Sequence, residues 1–300
     1  MNVNKRNNYQ LTGSIHTLSL ISLPVTDIDE SIAAPCFDTL SSRENLSYSK
    51  INANKLVGDL FSYDEFKTAF DTILGGAGIE SYSLSRFDMR FDSFDPEHYR
   101  DYAKLNRYLI SALAVTYNVQ NCYDSRNLFS QKQLSVAIKN KRFECENYDK
   151  EAESGGRDPA YARLELRSKC LTSNDIEKQF HGWYIRLDKA LKNLDKVHQR
   201  YNDELEKIYK EEKDAFPVKF RSLTDFLIQY QNCIFCKAQM IDLLSRFDEV
   251  KNPETRAKNH KKRYGIEYFS KMDVEYAVAE IKRAAEKFFE GTEMNLFEKS

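Results

Sequence analysis

An α+β fold is predicted, with an antiparallel β-sheet core, packed helices and a mainly helical C-terminal region, and three observations predict it. Residues 84–94 (LSRFDMRFDSF) and 162–169 (ARLELRSK) alternate apolar and charged side chains with the period of two expected of a strand with one buried face. Residues 134–138 (LSVAI) and 143–148 (FECENY) are short β-type runs joined by the polar stretch 139–142, the pattern of a hairpin. From Ser173 onward apolar residues recur at steps of three or four. The expected division is an α+β part over residues 1–170 and a helical part over residues 171–300.

The first element is a strand at 15–23 (IHTLSLISL). Ile15, Thr17 and Ser19 alternate there with His16, Leu18 and Leu20, and alternation alone does not say which set faces the core. Residues 24–60 read as irregular. Ser62 with Glu65 three residues on is a capping signature, and Phe66, Phe70, Ile73 and Leu74 form the apolar face of the helix it opens. Gly75 and Gly76 close that helix. In the strand at 84–94, Phe87, Met89 and Phe91 oppose Arg86, Asp88, Arg90 and Asp92. Pro96 suits the first turn of a helix carrying Tyr102, Leu105, Leu109 and Leu113. After the hairpin, Gly155, Gly156 and Pro159 mark a loop over 151–161. The stripe Ile176, Phe180, Trp183, Leu187, Leu191, Leu194, Val197, Tyr201, Leu205 and Ile208 predicts one amphipathic helix of about eight turns or more, ended by Pro217. A second apolar helix is expected at 223–249, before Pro253, and a third at 271–290.

Composition bounds the function. With 300 residues, 41% hydrophobic and 30% charged, the chain can bury a core. The 45 Lys+Arg against 46 Asp+Glu leave a net charge of −1, so nucleic-acid contact has to come from local patches and not from a polybasic body. No apolar run approaches the roughly 20 residues of a membrane helix. The opening MNVNKRNNYQ lacks the apolar stretch of a secretory signal, and six scattered cysteines give no disulfide framework. A cytoplasmic location without membrane contact is expected. No P-loop or dinucleotide fingerprint occurs.

The polar faces of the strands are unusual. One carries Arg86, Asp88, Arg90 and Asp92; the next Glu144, Glu146, Tyr148 and Lys150; the third Arg163, Glu165 and Arg167. In one reading these are solvated faces with cross-strand ion pairs. In the other they converge on a site. There carboxylates would hold a hard divalent cation, Arg and Lys would bind phosphate, and a tyrosine phenol would serve as nucleophile. A phenol with a pKa near 10 needs a metal, a base or nearby positive charge to act in that way.

The order of these motifs resembles the replication initiation factor (Rep_trans) family, the initiators of rolling-circle replication in small plasmids, with relatives in phages and conjugative elements. The family's TRLDLxxD-type strand is matched by Ser85, Arg86, Phe87, Asp88 and Asp92. Its strand ending in Tyr-Asn-Lys is matched by Tyr148, Asp149 and Lys150, and its RVEIEL strand by Arg163, Leu164, Glu165 and Leu166. His16 stands where a family strand carries an acidic residue. The resemblance spans about residues 14–170.

It implies origin-specific nicking and rejoining of single-stranded or hairpin DNA through a phosphotyrosine at Tyr148. Asp88 and Glu165, with Glu146 or Asp92, would hold Mg²⁺ or Mn²⁺. Arg86, Lys150 and Arg163 would bind phosphate or stabilise developing charge. A conjugative relaxase of the same family is the alternative enzyme. A DNA-binding copy-control or replication regulator without catalysis is the alternative from another class. A homodimer and a host helicase are partners the resemblance admits.

The five histidines (16, 98, 181, 198 and 260) show no metal-ligand spacing. Cys233 and Cys236 form a CxxC inside the expected 223–249 helix, read as a buried structural pair or as a zinc or redox site. Arg256, Lys258, Lys261, Lys262 and Arg263 put five cations into eight residues, as a solvated interhelix loop or a DNA-contacting segment. The 176–208 stripe reads as intramolecular core or as a dimer seam.

Overall fold

The computed structural model describes residues 11–23, 37–43, 46–58, 62–95, 98–119, 135–156, 161–213 and 220–290. All of its strands fall in one antiparallel sheet. In chain order they are β1 (Thr12–Ser22), β2 (Phe37–Arg43), β3 (Leu46–Asn52), β4 (Tyr82–Ser93), β5 (Val136–Lys139), β6 (Phe143–Asp149) and β7 (Ala162–Lys169). The spatial order is β2-β3-β1-β4-β7-β6-β5, so β4 and β7 lie at the centre. Among the described residues the α-helices are α1 (Ala53–Val57), α2 (Tyr63–Gly76), α3 (Tyr99–Thr116), α4 (Lys150–Ser154), α5 (Ile176–Leu191), α6 (Leu194–Lys213), α7 (Leu223–Gln229), α8 (Lys237–Ser245), α9 (Pro253–Tyr264) and α10 (Lys271–Phe289). The fold is α+β, as the alternating and helical periods predict.

One face of the sheet is the core. Ile15, Leu18, Phe87, Met89, Phe91, Leu164, Leu166, Phe143 and Cys145 are buried there, against α3, α5 and α10. The approach of α10 to β1 is so close that a Cβ on Gly13 would stand 2.9 Å from the Ala284 carbonyl oxygen. Helix α2 has the expected capping box between Ser62 and Glu65 and buries Phe66, Phe70, Ile73 and Leu74. Helix α3 is buried on every side, with Lys104, Asn106, Arg107 and Ser111 enclosed between sheet and C-terminal helices. Lys104 Nζ donates to the Glu267 carbonyl at 2.9 Å, and Asn106 donates to Asn147 Oδ1 at 3.1 Å. Among the described residues one apolar cluster takes in side chains from Leu11 to Phe288.

Several expectations need correction. The stretch 24–60 is not wholly irregular, because it contains β2, β3 and α1. In β3 the buried positions are Ser47, Ser49 and Ile51, while Leu46 and Tyr48 are about 40% exposed, so the usual apolar-in pattern is reversed. The 151–161 stretch begins within a helical turn, α4. The 176–208 stripe is two helices. The chain turns at Lys192 and Asn193, where the Asn193 carboxamide donates to the Lys189 carbonyl and to Thr116 Oγ1. The stripe is intramolecular core, with Phe180, Trp183, Leu187, Val197, Tyr201 and Leu205 fully buried within the chain.

The 223–249 helix is likewise divided into α7, a 3₁₀ turn (Gln231–Cys233) and α8. Cys233 therefore ends the 3₁₀ turn and Cys236 precedes α8, so neither lies inside an α-helix. Cys236 caps α8 by accepting from the Gln239 N–H, and both thiols are buried outside any disulfide. The basic run is helix α9 and not a loop, with Asn252 as cap, Pro253 in the first turn and Gly265 in the left-handed conformation after its end. Pro96, Leu134, Pro159 and Pro217 lie outside the described residues. Among the described residues no helix is long and apolar enough to cross a membrane.

Candidate functional site

The polar side chains of β4, β7 and β6 share the other face of the sheet because the strands pair in matching phase. Asp88 lies opposite Arg167, Arg90 opposite Glu165 and Asp92 opposite Arg163. On the far side of β7, Glu144 is opposite Arg167, Glu146 opposite Glu165 and Tyr148 opposite Arg163. Most of these neighbours carry opposite charge, which stabilises a sheet. Tyr148 opposite Arg163 pairs a neutral phenol with a cation, and Glu146 beside Glu165 is the like-charged pair. The Arg167 guanidinium spans both carboxylates, at 2.5 Å from Glu146 Oε2 and 2.6 Å from Glu165 Oε2.

Two other arginines act as forks. Arg86 holds both oxygens of Asp88 at 2.8 and 2.7 Å, and Arg163 holds both oxygens of Asp92 at 2.6 and 2.7 Å. Lys169 pairs with Glu144 at 2.8 Å. Such bidentate charge-assisted bonds fix the carboxylates in orientation as well as in charge.

Strand β1 adds the residue that completes the group. Ile15 pairs with Met89 and Thr17 with Asp88, leaving His16 as the extra residue of a β-bulge. The bulge shifts the alternation, so that Ile15 and Leu18 both reach the core while His16 and Thr17 turn towards the charged face. His16 Nδ1 then lies 3.4 Å from Glu165 Oε1. The Tyr148 hydroxyl donates to that same oxygen. Ligand atoms of His16, Asp88 and Glu165 all lie within 4.8 Å of one another, the one such grouping among the described residues.

The donor set fits a divalent cation. Asp88 and Glu165 are each 1% exposed, and His16 Nδ1 is buried with no hydrogen-bond partner among the described residues. One imidazole and two carboxylates can hold a first-row dication. Asp92 and Glu146, expected as further ligands, stand outside this group, Asp92 clamped by Arg163 and Glu146 by Arg167. His16 is the residue the sequence did not assign.

Burial and neighbours tune the groups in opposite senses. Burial alone would raise the Glu165 carboxyl, but His16, Arg167 and Tyr148 hold it well below the usual carboxylate range. Burial raises the Asp88 carboxyl even against the Arg86 fork. The Tyr148 phenol, 8% exposed, is pushed up by burial and then by the Glu165 charge. Lys150, at the start of α4, sets its ammonium 5.6 Å from the Tyr148 ring centre. Tyr148 nevertheless belongs to the charged face and not to the apolar cluster.

The basic residues are on a different element. Arg256, Lys258, Lys262 and Arg263 are exposed on α9, with Arg256 bonded to Thr224 Oγ1 and Lys261 near Glu267. The helix packs on α8, apart from the strands of the site.

No protein-family model matches the chain, and no curated protein matches it. Among solved structures, a rolling circle replication initiator protein from Geobacillus stearothermophilus aligns at 8% identity with a TM-score of 0.30, over 53% of this chain and 74% of that chain. A likeness of that size is too slight to carry a functional argument.

Proposed function

We propose that this chain nicks and rejoins one strand of DNA through a covalent bond between Tyr148 and a phosphate, as a replication initiator of the rolling-circle type. The observation that carries this reading is the meeting at Glu165 Oε1 of the Tyr148 hydroxyl and the His16 imidazole, beside the Asp88 carboxylate. The order of the Arg86–Asp88, Tyr148–Lys150 and Arg163–Glu165 motifs supports the same class.

In the forward step Tyr148 Oη bonds to phosphorus and the P–O3′ bond breaks. The DNA 3′ oxygen leaves and is released as a hydroxyl. The phenolic hydrogen is directed at Glu165 Oε1, so Glu165 orients the phenol, and over the whole step the proton passes from Oη to the departing 3′ oxygen. Rejoining is the reverse: the 3′ hydroxyl attacks the phosphotyrosine and Oη leaves. A divalent cation held by Asp88 and Glu165 with His16 would polarise the phosphate and offset the negative charge that raises the phenol. Arg86, the most exposed guanidinium of the face at 30%, is placed to meet a phosphate oxygen, with Lys150 beside the Tyr148 ring. Arg163 is buried against Asp92 and acts by fixing the sheet under Tyr148. The exposed cations of α9 would hold the flanking backbone.

A DNA-binding protein without catalysis is favoured by one observation, the burial of Tyr148 and its raised phenol. One assay separates the readings. Incubation with labelled single-stranded origin DNA and Mn²⁺ is expected to give a denaturation-resistant protein–DNA adduct that Tyr148→Phe does not form. DNA binding without an adduct selects the non-catalytic reading.

A further inference from the structure

We infer that His16 makes this a site for Mn²⁺ and the later first-row divalent ions in preference to Mg²⁺. The inference rests on the reading above only in taking the charged face as a cation site, and adds which cation it selects. Its ground is where β1 sets His16. Ile15 is opposite Met89 on the core face, so His16 follows on the charged face, and the register shift that sets Thr17 opposite Asp88 leaves His16 as an extra residue beside the carboxylates. Its Nδ1 is withdrawn from solvent, faces Glu165 Oε1 at 3.4 Å and makes no hydrogen bond among the described residues.

This nitrogen, in contact only with Glu165 Oε1 among the described residues, is a donor that a bound cation would take over inside a carboxylate pair. Mg²⁺ prefers oxygen ligands and keeps several waters, whereas imidazole binding strengthens along the first-row series. Size agrees as well. Ligand atoms around an ion with bonds of roughly 2.1 Å lie up to about 4.2 Å apart, and the three ligand atoms, all within 4.8 Å of one another, are near that span. Arg86 and Arg167 each occupy one side of Asp88 and Glu165, and a carboxylate with about four lone-pair directions retains room for a cation.

The test uses the full chain with MnCl2 and MgCl2. Free Mn²⁺ is followed by electron paramagnetic resonance during a Mg²⁺ competition, and the bound ion is examined for ¹⁴N coupling by electron spin-echo modulation. One Mn²⁺ bound at least about tenfold more tightly than Mg²⁺, with ¹⁴N modulation, is expected for the unaltered chain. His16→Ala should lose the modulation and weaken Mn²⁺ by about tenfold or more. His16→Asp should bind Mn²⁺ without modulation and narrow the preference over Mg²⁺. Unaltered protein that binds no Mn²⁺, binds it without nitrogen coupling, or binds Mg²⁺ equally well overturns the inference. The tyrosine chemistry fails separately: Mn²⁺ held through His16 in a chain that forms no DNA adduct sinks the nicking reading alone. An adduct formed with nitrogen-free metal sinks this inference alone.

Discussion

Replacing Asp92 by Asn should damage the fold and spare the metal. The Asp92 carboxylate is buried and takes two bonds from Arg163, with Arg90 Nε 3.8 Å away, and both arginines are themselves buried. Removing its charge leaves two enclosed guanidinium groups short of one counter-charge. Losing one partner of a buried pair costs about 3–5 kcal/mol, and the retained carboxamide oxygen puts Asn near the lower figure. At about 2 °C per kcal/mol for a chain of this size, the melting temperature should fall by roughly 6 °C or more. Calorimetry or a urea titration reads this. Adding Arg163→Met should recover part of the loss, as a non-additive term of at least about 1 kcal/mol. Mn²⁺ affinity should stay within about twofold, because Asp92 lies outside the His16, Asp88 and Glu165 group. An Asp92→Asn protein of unchanged stability that no longer binds Mn²⁺ would refute this reasoning.

Three further outcomes rest on the packing and on the exposed cations. Burial pushes the Lys104 ammonium down to about 8. Below that pH both folded and unfolded chains hold the proton and the burial penalty is complete. Between about 8 and 10.5 only the unfolded chain holds it, so stability rises with pH. The melting-temperature advantage of Lys104→Met should therefore shrink across that interval by the equivalent of roughly 3 kcal/mol, and a constant difference contradicts the buried charge. Gly13→Ala should cost roughly 1–3 kcal/mol in chemical denaturation, since its Cβ would press on the Ala284 carbonyl and force α10 away from β1. Replacing Lys258 and Lys262 together with Ala should lower the salt dependence of single-strand DNA binding by about 1.4 in log–log slope; an unaltered slope removes α9 from the interface.

Strands β4 and β7 were legible because every second residue is charged and every other one is core, and the Ser62–Glu65 cap was legible because its chemistry is local. Strand β3 was not, since Ser47 and Ser49 take the buried places while Leu46 and Tyr48 face outward. The turn at Asn193 was hidden because Leu191 and Leu194 keep helical spacing across it. Strand phase put Tyr148, Asp88 and Glu165 on the charged faces, and the family resemblance grouped them as one site. What phase does not encode is which guanidinium takes which carboxylate, so Asp92 looked as available for metal as Asp88. His16 was left unassigned because alternation did not say which side of β1 faces the core, and because a family strand carries an acidic residue in its place. Its signal was present, however: Ile15 and Leu18, three apart in a strand, cannot both reach the core unless one extra residue lies between them.

In the nicking reaction the Tyr148 oxygen becomes bonded to DNA phosphate. Protease digestion of the adduct and mass spectrometry of the cross-linked peptide measure this directly. The expected product is a nucleotide joined through its 5′ phosphate to Tyr148. A phosphate found on another of the chain's tyrosines, or no covalent nucleotide in protein that binds both Mn²⁺ and DNA, contradicts the account.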